Sequence, residues 1–135
     1  RGFNAELINH LRQRVEEISV GTARVFGGDA EVEWLFSSPA MYCDPDFTDE
    51  VVRYAADVVG QDRMIPKKSR ATGSEDFAYF GEKVPSQIFW LGAGVDDKTK
   101  RISNHNPKVL FSEDALPYGA AVYTQCAIEW LKEHK

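Results

Sequence analysis

The sequence has no apolar run near the ~18 residues needed to cross a membrane. Nor does it have an apolar signal core behind Arg1-Gly2-Phe3-Asn4, or an initiator Met. It has no HExxH, no CxxC pair and no GxSxG elbow, so none of the compact zinc or serine-nucleophile signatures is present. Its 3 histidines are scattered, and its 2 cysteines, Cys43 and Cys126, stand too far apart for a metal-type pair. Two reduced thiols in a cytoplasmic protein are expected in preference to a disulfide between them. Basic residues are in deficit, 16 against 21 acidic, for a net charge of −5. That excludes the basic footprint of a general nucleic-acid binder. No run of like charges is long enough to form an interaction tail.

What is present is enough for a core. The chain has 135 residues, 43% of them hydrophobic and 12% aromatic, which is about one domain of chain and not a disordered tail. Phe3, Leu7, Leu11, Val15 and Ile18 recur at steps of three and four, with Ile8 beside them. This predicts an amphipathic helix over 4–26, capped by Asn4 and ended by Gly27-Gly28. Alternation through Val32, Trp34 and Phe36 predicts a strand. A helix and a strand cannot bury their own apolar faces, so further strands are expected beside them. Asp46 is expected to cap a second helix that turns Phe47, Val51, Val52, Ala55, Val58 and Val59 inward and stops at Gly60. A short strand is expected at Met64-Ile65, then a basic irregular stretch to Arg70. A third helix is expected to open at Thr72 and end near Val84-Pro85. The apolar run 87–91 predicts a strand buried on both faces. A loop over 95–111 follows, then a last helix from about Asp114 with Pro117 in its first turn. Strands alternating with helices make the class α/β.

Three stretches can carry chemistry. Thr72-Gly73-Ser74-Glu75 reads as a capping box, or as a helix start whose free N–H groups hold an anionic or polar substrate group. Gly92-Ala93-Gly94 reads as a turn, or as the floor of a site at a strand's carboxyl end. Asn104-His105-Asn106-Pro107 holds an imidazole in a polar turn, where it is either a surface histidine or a metal ligand. His10 and His134 read as solvated. One histidine does not make a zinc site, which takes three or four ligands.

The order of these pieces carries a resemblance. Gly73-Ser74-Glu75-Asp76-Phe77, Val84-Pro85, Leu91-Gly92-Ala93-Gly94, His105-Asn106-Pro107 and Glu113-Asp114-Ala115-Leu116-Pro117-Tyr118-Gly119-Ala120-Ala121 follow one another with fitting gaps. Together they resemble the C-terminal third of the metal-dependent amidohydrolases and peptidases. That family includes hippurate hydrolases, N-acyl-amino-acid amidohydrolases and plant auxin-conjugate hydrolases. The resemblance implies that 1–38 is the second half of a smaller α+β lid or dimerisation domain. It implies that 39–135 is the returning part of an α/β/α catalytic domain with a central sheet. It further implies a site of two divalent metals, zinc or manganese, that cleaves the amide of a small N-acyl amino acid with metal-activated water. His105 falls on a metal ligand, and Gly73 and Ser74 fall beside the substrate. No membrane or nucleic-acid partner is implied, and the parent is expected to be a homodimer or higher homo-oligomer.

The chain departs from the family pattern in what it does not contain. The cysteine-x-histidine ligands, the catalytic glutamate pair and the middle histidine have no counterpart here, and no histidine follows Cys43 at the needed spacing. The expectation is therefore a C-terminal fragment, inactive alone, with no catalytic residue of its own. The rival expectation is a non-catalytic binding or assembly module that keeps the fold without a metal site.

Overall fold

The computed structural model describes residues 1–66 and 69–135. They divide into two compact units, residues 1–43 with 68–86 and residues 44–67 with 87–135.

The first unit is built on α1, Ala5–Val25. Asn4 starts it as expected, its side-chain oxygen accepting from the Leu7 amide at 2.7 Å. Gly27 ends it with φ 78°, which a Cβ would disfavour. The Gly28 amide bonds back to the Ala23 carbonyl and the Gly27 amide to that of Arg24, the paired bonds of a Schellman stop. The stripe of Leu7, Leu11, Val15 and Ile18 forms as predicted, yet α1 buries none of its residues. Arg12 lies over the Trp34 ring at 5.4 Å and Arg70 over Phe3 at 5.2 Å. The expected third helix contracts to a single turn, α3, Ala78–Gly81. Ala78 is buried, Phe77 stacks on Phe80 at 5.5 Å, and the Tyr79 hydroxyl donates to the Ser37 carbonyl.

The second unit packs α2, Pro45–Val59, against α4, Ala115–Glu133. Val51, Tyr54 and Ala55 of α2 and Ala115 and Val122 of α4 form its buried core. Asp44, not Asp46, caps α2: its carboxylate accepts from the Phe47 amide at 2.9 Å. The reason is Pro45, whose fixed φ and missing N–H suit the first helical position and draw the cap back to the residue before it. Asp46 falls in the first turn, where its charge favours the helix dipole. Gly60 closes α2 with φ 88° as expected. A 3-10 turn, Gln61–Arg63, follows, and Met64-Ile65 form no strand. Lys67 and Lys68, in the basic stretch, lie outside the described residues.

A network that periodicity cannot show ties the end of α4 to α2. Arg53 grips Glu133 with two hydrogen bonds of 2.9 and 2.8 Å, and the Tyr54 hydroxyl donates to the same carboxylate at 2.7 Å. These bonds, Arg53 first, hold the Glu133 carboxyl at about 2. Burial, then the bond to Glu133, pushes the Tyr54 hydroxyl up. His134 is exposed, as expected, but it is not without partners. Its ring stacks on Trp130 at 4.5 Å, and its Nε2 lies 3.6 Å from Glu50. Because the Glu133 carboxyl is depressed on folding, its stabilisation is complete above its ordinary value of 4.5 and is lost as pH falls towards about 2. Glu133→Gln is therefore expected to flatten acid unfolding between those pH values. Denaturant melts at stepped pH check this, and an unchanged slope would show that the carboxylate does not couple folding to protons.

The strands expected at 31–36 and at 87–91 do not form. Among the described residues the β pairing is one isolated antiparallel bridge, Gly94 to Phe111. The described chain is mostly helical with almost no strand. The physical reason is that a strand completes its hydrogen bonds only on a neighbour, and neither segment finds one here. Trp90, expected inside, is 70% exposed, and Leu35 is 84% exposed. Phe89 still packs on Tyr123 of α4 at 5.9 Å, and Gly119 lets Leu91 approach the same helix.

Candidate functional site

In the second unit, the stretch from Gly92 to Ser112 forms a closed loop. At its base Gly94 bridges to Phe111, and the Ser112 amide donates to the Ala93 carbonyl at 2.8 Å. Ser112 in turn accepts from the Ala115 amide, so the base is continuous with the start of α4. Gly92-Ala93-Gly94 is thus one side of the loop's closure, and the expected loop over 95–111 lies between the paired residues.

Both arms of the loop are internally tied. On the first, Asp97 accepts from the Thr99 hydroxyl at 2.6 Å and from the Thr99 amide at 3.0 Å, and sits 3.3 Å from Lys100. These contacts, the Thr99 hydroxyl first, lower the Asp97 carboxyl and shape the 3-10 turn Lys98–Lys100. Arg101 Nε donates to the Val95 carbonyl at 2.7 Å. On the second arm, the Asn106 side chain accepts from the Lys108 amide at 2.9 Å, and its carbonyl accepts from the Val109 amide at 3.0 Å. Pro107 takes the turn position where its fixed φ is an advantage.

His105 stands between the two arms with φ 66°, the one non-glycine residue with positive φ among the described residues. Histidine enters this left-handed region more readily than most side chains, yet the conformation still costs about 1–3 kcal/mol. It persists where the surroundings over-determine it, and the two arms do so. The side chain is exposed, and among the described residues no hydrogen bond or ion pair engages its ring. An imidazole presented in this way can donate a ring nitrogen to a metal or carry a proton.

Gly73 and Ser74 lie in the first unit, on an exposed stretch before α3. The capping box expected there is not formed. Thr72 instead accepts from the Arg1 guanidinium through its carbonyl, and Glu75 accepts from the Phe77 amide at 3.2 Å. With α3 a single turn, the helix-start grip on an anion loses its basis, since one turn aligns too few amides. A Cβ built on Gly73 meets nothing within 4 Å, so this glycine has open space beside it.

The metal that the sequence resemblance implies can be tested on the donor set. His105 fits as a single ligand. As a whole site the chain does not fit: among the described residues no group of three or more His, Cys, Asp and Glu could hold a metal ion. Both cysteines are free, and burial raises the Cys126 thiol, which disfavours the thiolate a metal needs. Sequence reasoning singled out His105 but missed Arg101. Its only sequence signal is the glycine at 94 that it covers. No helix among the described residues is long and apolar enough to cross a membrane.

Comparison with known proteins adds what geometry alone cannot. The chain is 32% identical over 127 residues to the IAA-amino acid hydrolase ILR1-like 2 of Arabidopsis thaliana, covering 91% of this chain and 28% of that one. It is 34% identical over 116 residues to the hydrolase y4tI of Sinorhizobium fredii, covering 86% of this chain and 28% of that one. It is 34% identical over 112 residues to an N-acetyldiaminopimelate deacetylase of Streptococcus suis, covering 80% and 27%. The chain therefore spans less than a third of the length of these relatives. The model of peptidase family M20/M25/M40 matches residues 4–129, nearly the whole chain and including the His105 loop. On that match, this chain belongs to peptidase family M20/M25/M40.

Proposed function

We propose that the chain is the C-terminal part of a metal-dependent amidohydrolase that cleaves the amide bond of N-acyl amino acids. The observation that carries this reading is the left-handed His105, held by two tied arms at the position where the family resemblance places a metal ligand. The relatives' names, which speak of amino-acid conjugates and N-acetyl groups, support the substrate class. In this reading the metals are zinc or manganese, two per site, and the remaining ligands come from residues outside 1–135. Gly73 and Ser74 border the substrate, where the open space at Gly73 leaves room for a ligand. The metal chemistry is not assigned to this chain, whose part is to present one donor and some of the wall.

The same reading makes 1–38 part of a lid or dimerisation domain and 39–135 part of an α/β/α domain in a cytoplasmic homo-oligomer. Segments 31–36 and 87–91 are then strands completed by partners outside this chain. The uncovered stripe of α1 and the exposed Trp90 and Leu35 support it, because such surface is normally covered in a finished domain. The test uses the complete enzyme and a panel of N-acetyl and N-aromatic-acyl amino acids. Hydrolysis is expected to disappear on chelation and to return with zinc or manganese, while the 135-residue chain alone releases no amino acid. Activity that survives exhaustive chelation would overturn the metal assignment. A complete protein that binds these compounds without cleaving them would favour a non-catalytic module.

A further inference from the structure

We propose that Arg101 is a positioning residue for His105, and that Gly94 is a glycine so that Arg101 can act. This rests on the reading of His105 as a metal ligand and adds to it the part of the chain that sets where the imidazole stands.

A loop of this length has a closure cost and, without packing of its own, many conformations. The bridge at Gly94 and Phe111 fixes only its base. The strained φ at His105 needs more than that, because a left-handed non-glycine residue relaxes wherever its flanks are free. The flank behind it is fixed by the Asn106 turn. The flank before it is fixed by Arg101, whose Nε–H reaches back six residues to the Val95 carbonyl at 2.7 Å.

Gly94 shows how specific that contact is. Its φ is not positive, so the backbone there does not call for glycine on conformational grounds. A Cβ at Gly94 would instead lie 3.2 Å from Arg101 Nε and 3.5 Å from Cδ and Cζ, close enough that the arginine would have to give by a few tenths of an ångström. The absent side chain leaves room for Arg101 to run beside the Gly94 backbone on its way to the Val95 carbonyl. Lysine cannot substitute. It has no N–H at that point of the side chain to donate to the Val95 carbonyl. Between Arg101 and His105 stand only Ile102, Ser103 and Asn104, so a release at Arg101 is passed to the imidazole over a short span.

The experiment is run in the complete enzyme with Arg101→Met, Arg101→Lys, Gly94→Ala, the Gly94→Ala/Arg101→Met double variant and His105→Ala as reference. Three readouts are taken: metal retained against graded chelator, amide exchange through 102–106, and kcat separately from KM. Arg101→Met, Arg101→Lys and Gly94→Ala are each expected to weaken metal retention about 10-fold, the range of residues that orient a ligand. Each should also speed exchange at 102–106, with the loss in kcat rather than KM. The double variant should be no worse than the worse single one, because both substitutions break one contact. Arg101 variants that keep their metal while His105→Ala loses it overturn the inference and leave the ligand reading standing. Additive losses in the double variant overturn the pairing of Gly94 with Arg101. If His105→Ala keeps its metal, the ligand reading falls, and unchanged exchange at 102–106 in Arg101→Met then overturns the clasp as well.

Discussion

Replacing His105 with asparagine in the complete enzyme is expected to lower metal retention and amide hydrolysis by more than about 100-fold, beyond the 10–100-fold typical of residues that only orient a ligand. Asparagine is the informative choice because it also tolerates the left-handed region that His105 occupies at φ 66°. The loop's two arms should close around it unchanged, so that the substitution removes the imidazole and little else. His105→Gly makes the complementary case. It removes the ring and also relieves the backbone, so the variant should be as inactive as His105→Asn while gaining roughly 1 kcal/mol of stability or less. Metal content after dialysis, initial rates and thermal melts on the same preparations separate the effects. Full metal content and full rate in His105→Asn would mean that the strained loop serves some other purpose.

How far the sequence announces this structure depends on how local each feature is. The start and stop of α1 are legible because Asn4, Gly27 and Gly28 act on amides and carbonyls within a turn of themselves. The cap of α2 is misplaced by two residues because both Asp44 and Asp46 are good caps, and only the ring of Pro45 decides between them. The strands at 31–36 and 87–91 read well as pattern but need a neighbour to exist, and neither alternation nor an apolar run says whether one is there. The third helix fails for a related reason. Glu75 satisfies the Phe77 amide locally, and the capping box loses to that competing turn. At the site, Asn104-His105-Asn106-Pro107 is legible as a polar turn, since Asn106 and Pro107 act within three residues. The Arg101–Gly94 contact and the Arg53–Glu133 pair are not, because they depend on approach in space across residues that no period relates.

Titrating zinc into the 135-residue chain by itself is expected to give no saturable stoichiometric binding, with a dissociation constant weaker than about 1 mM and so less than roughly 4 kcal/mol of binding free energy. A structural or catalytic zinc site needs three or four donors held in place, and among the described residues no such group exists. His105 offers one exposed donor. His134 is stacked on Trp130 and faces Glu50, and its partners hold it to the end of α4. Chelator should accordingly leave the chain's helical signal and its melting profile untouched, unlike a domain whose metal energy is part of its folding energy. The contrast with the complete enzyme is what gives the titration its force. Loss of metal there on His105 substitution, with no binding by the isolated chain, would locate the partner ligands outside residues 1–135. One zinc bound per chain at micromolar concentration would instead require donors within these residues to converge on His105, and would overturn the proposal that the site is divided between this chain and residues outside it.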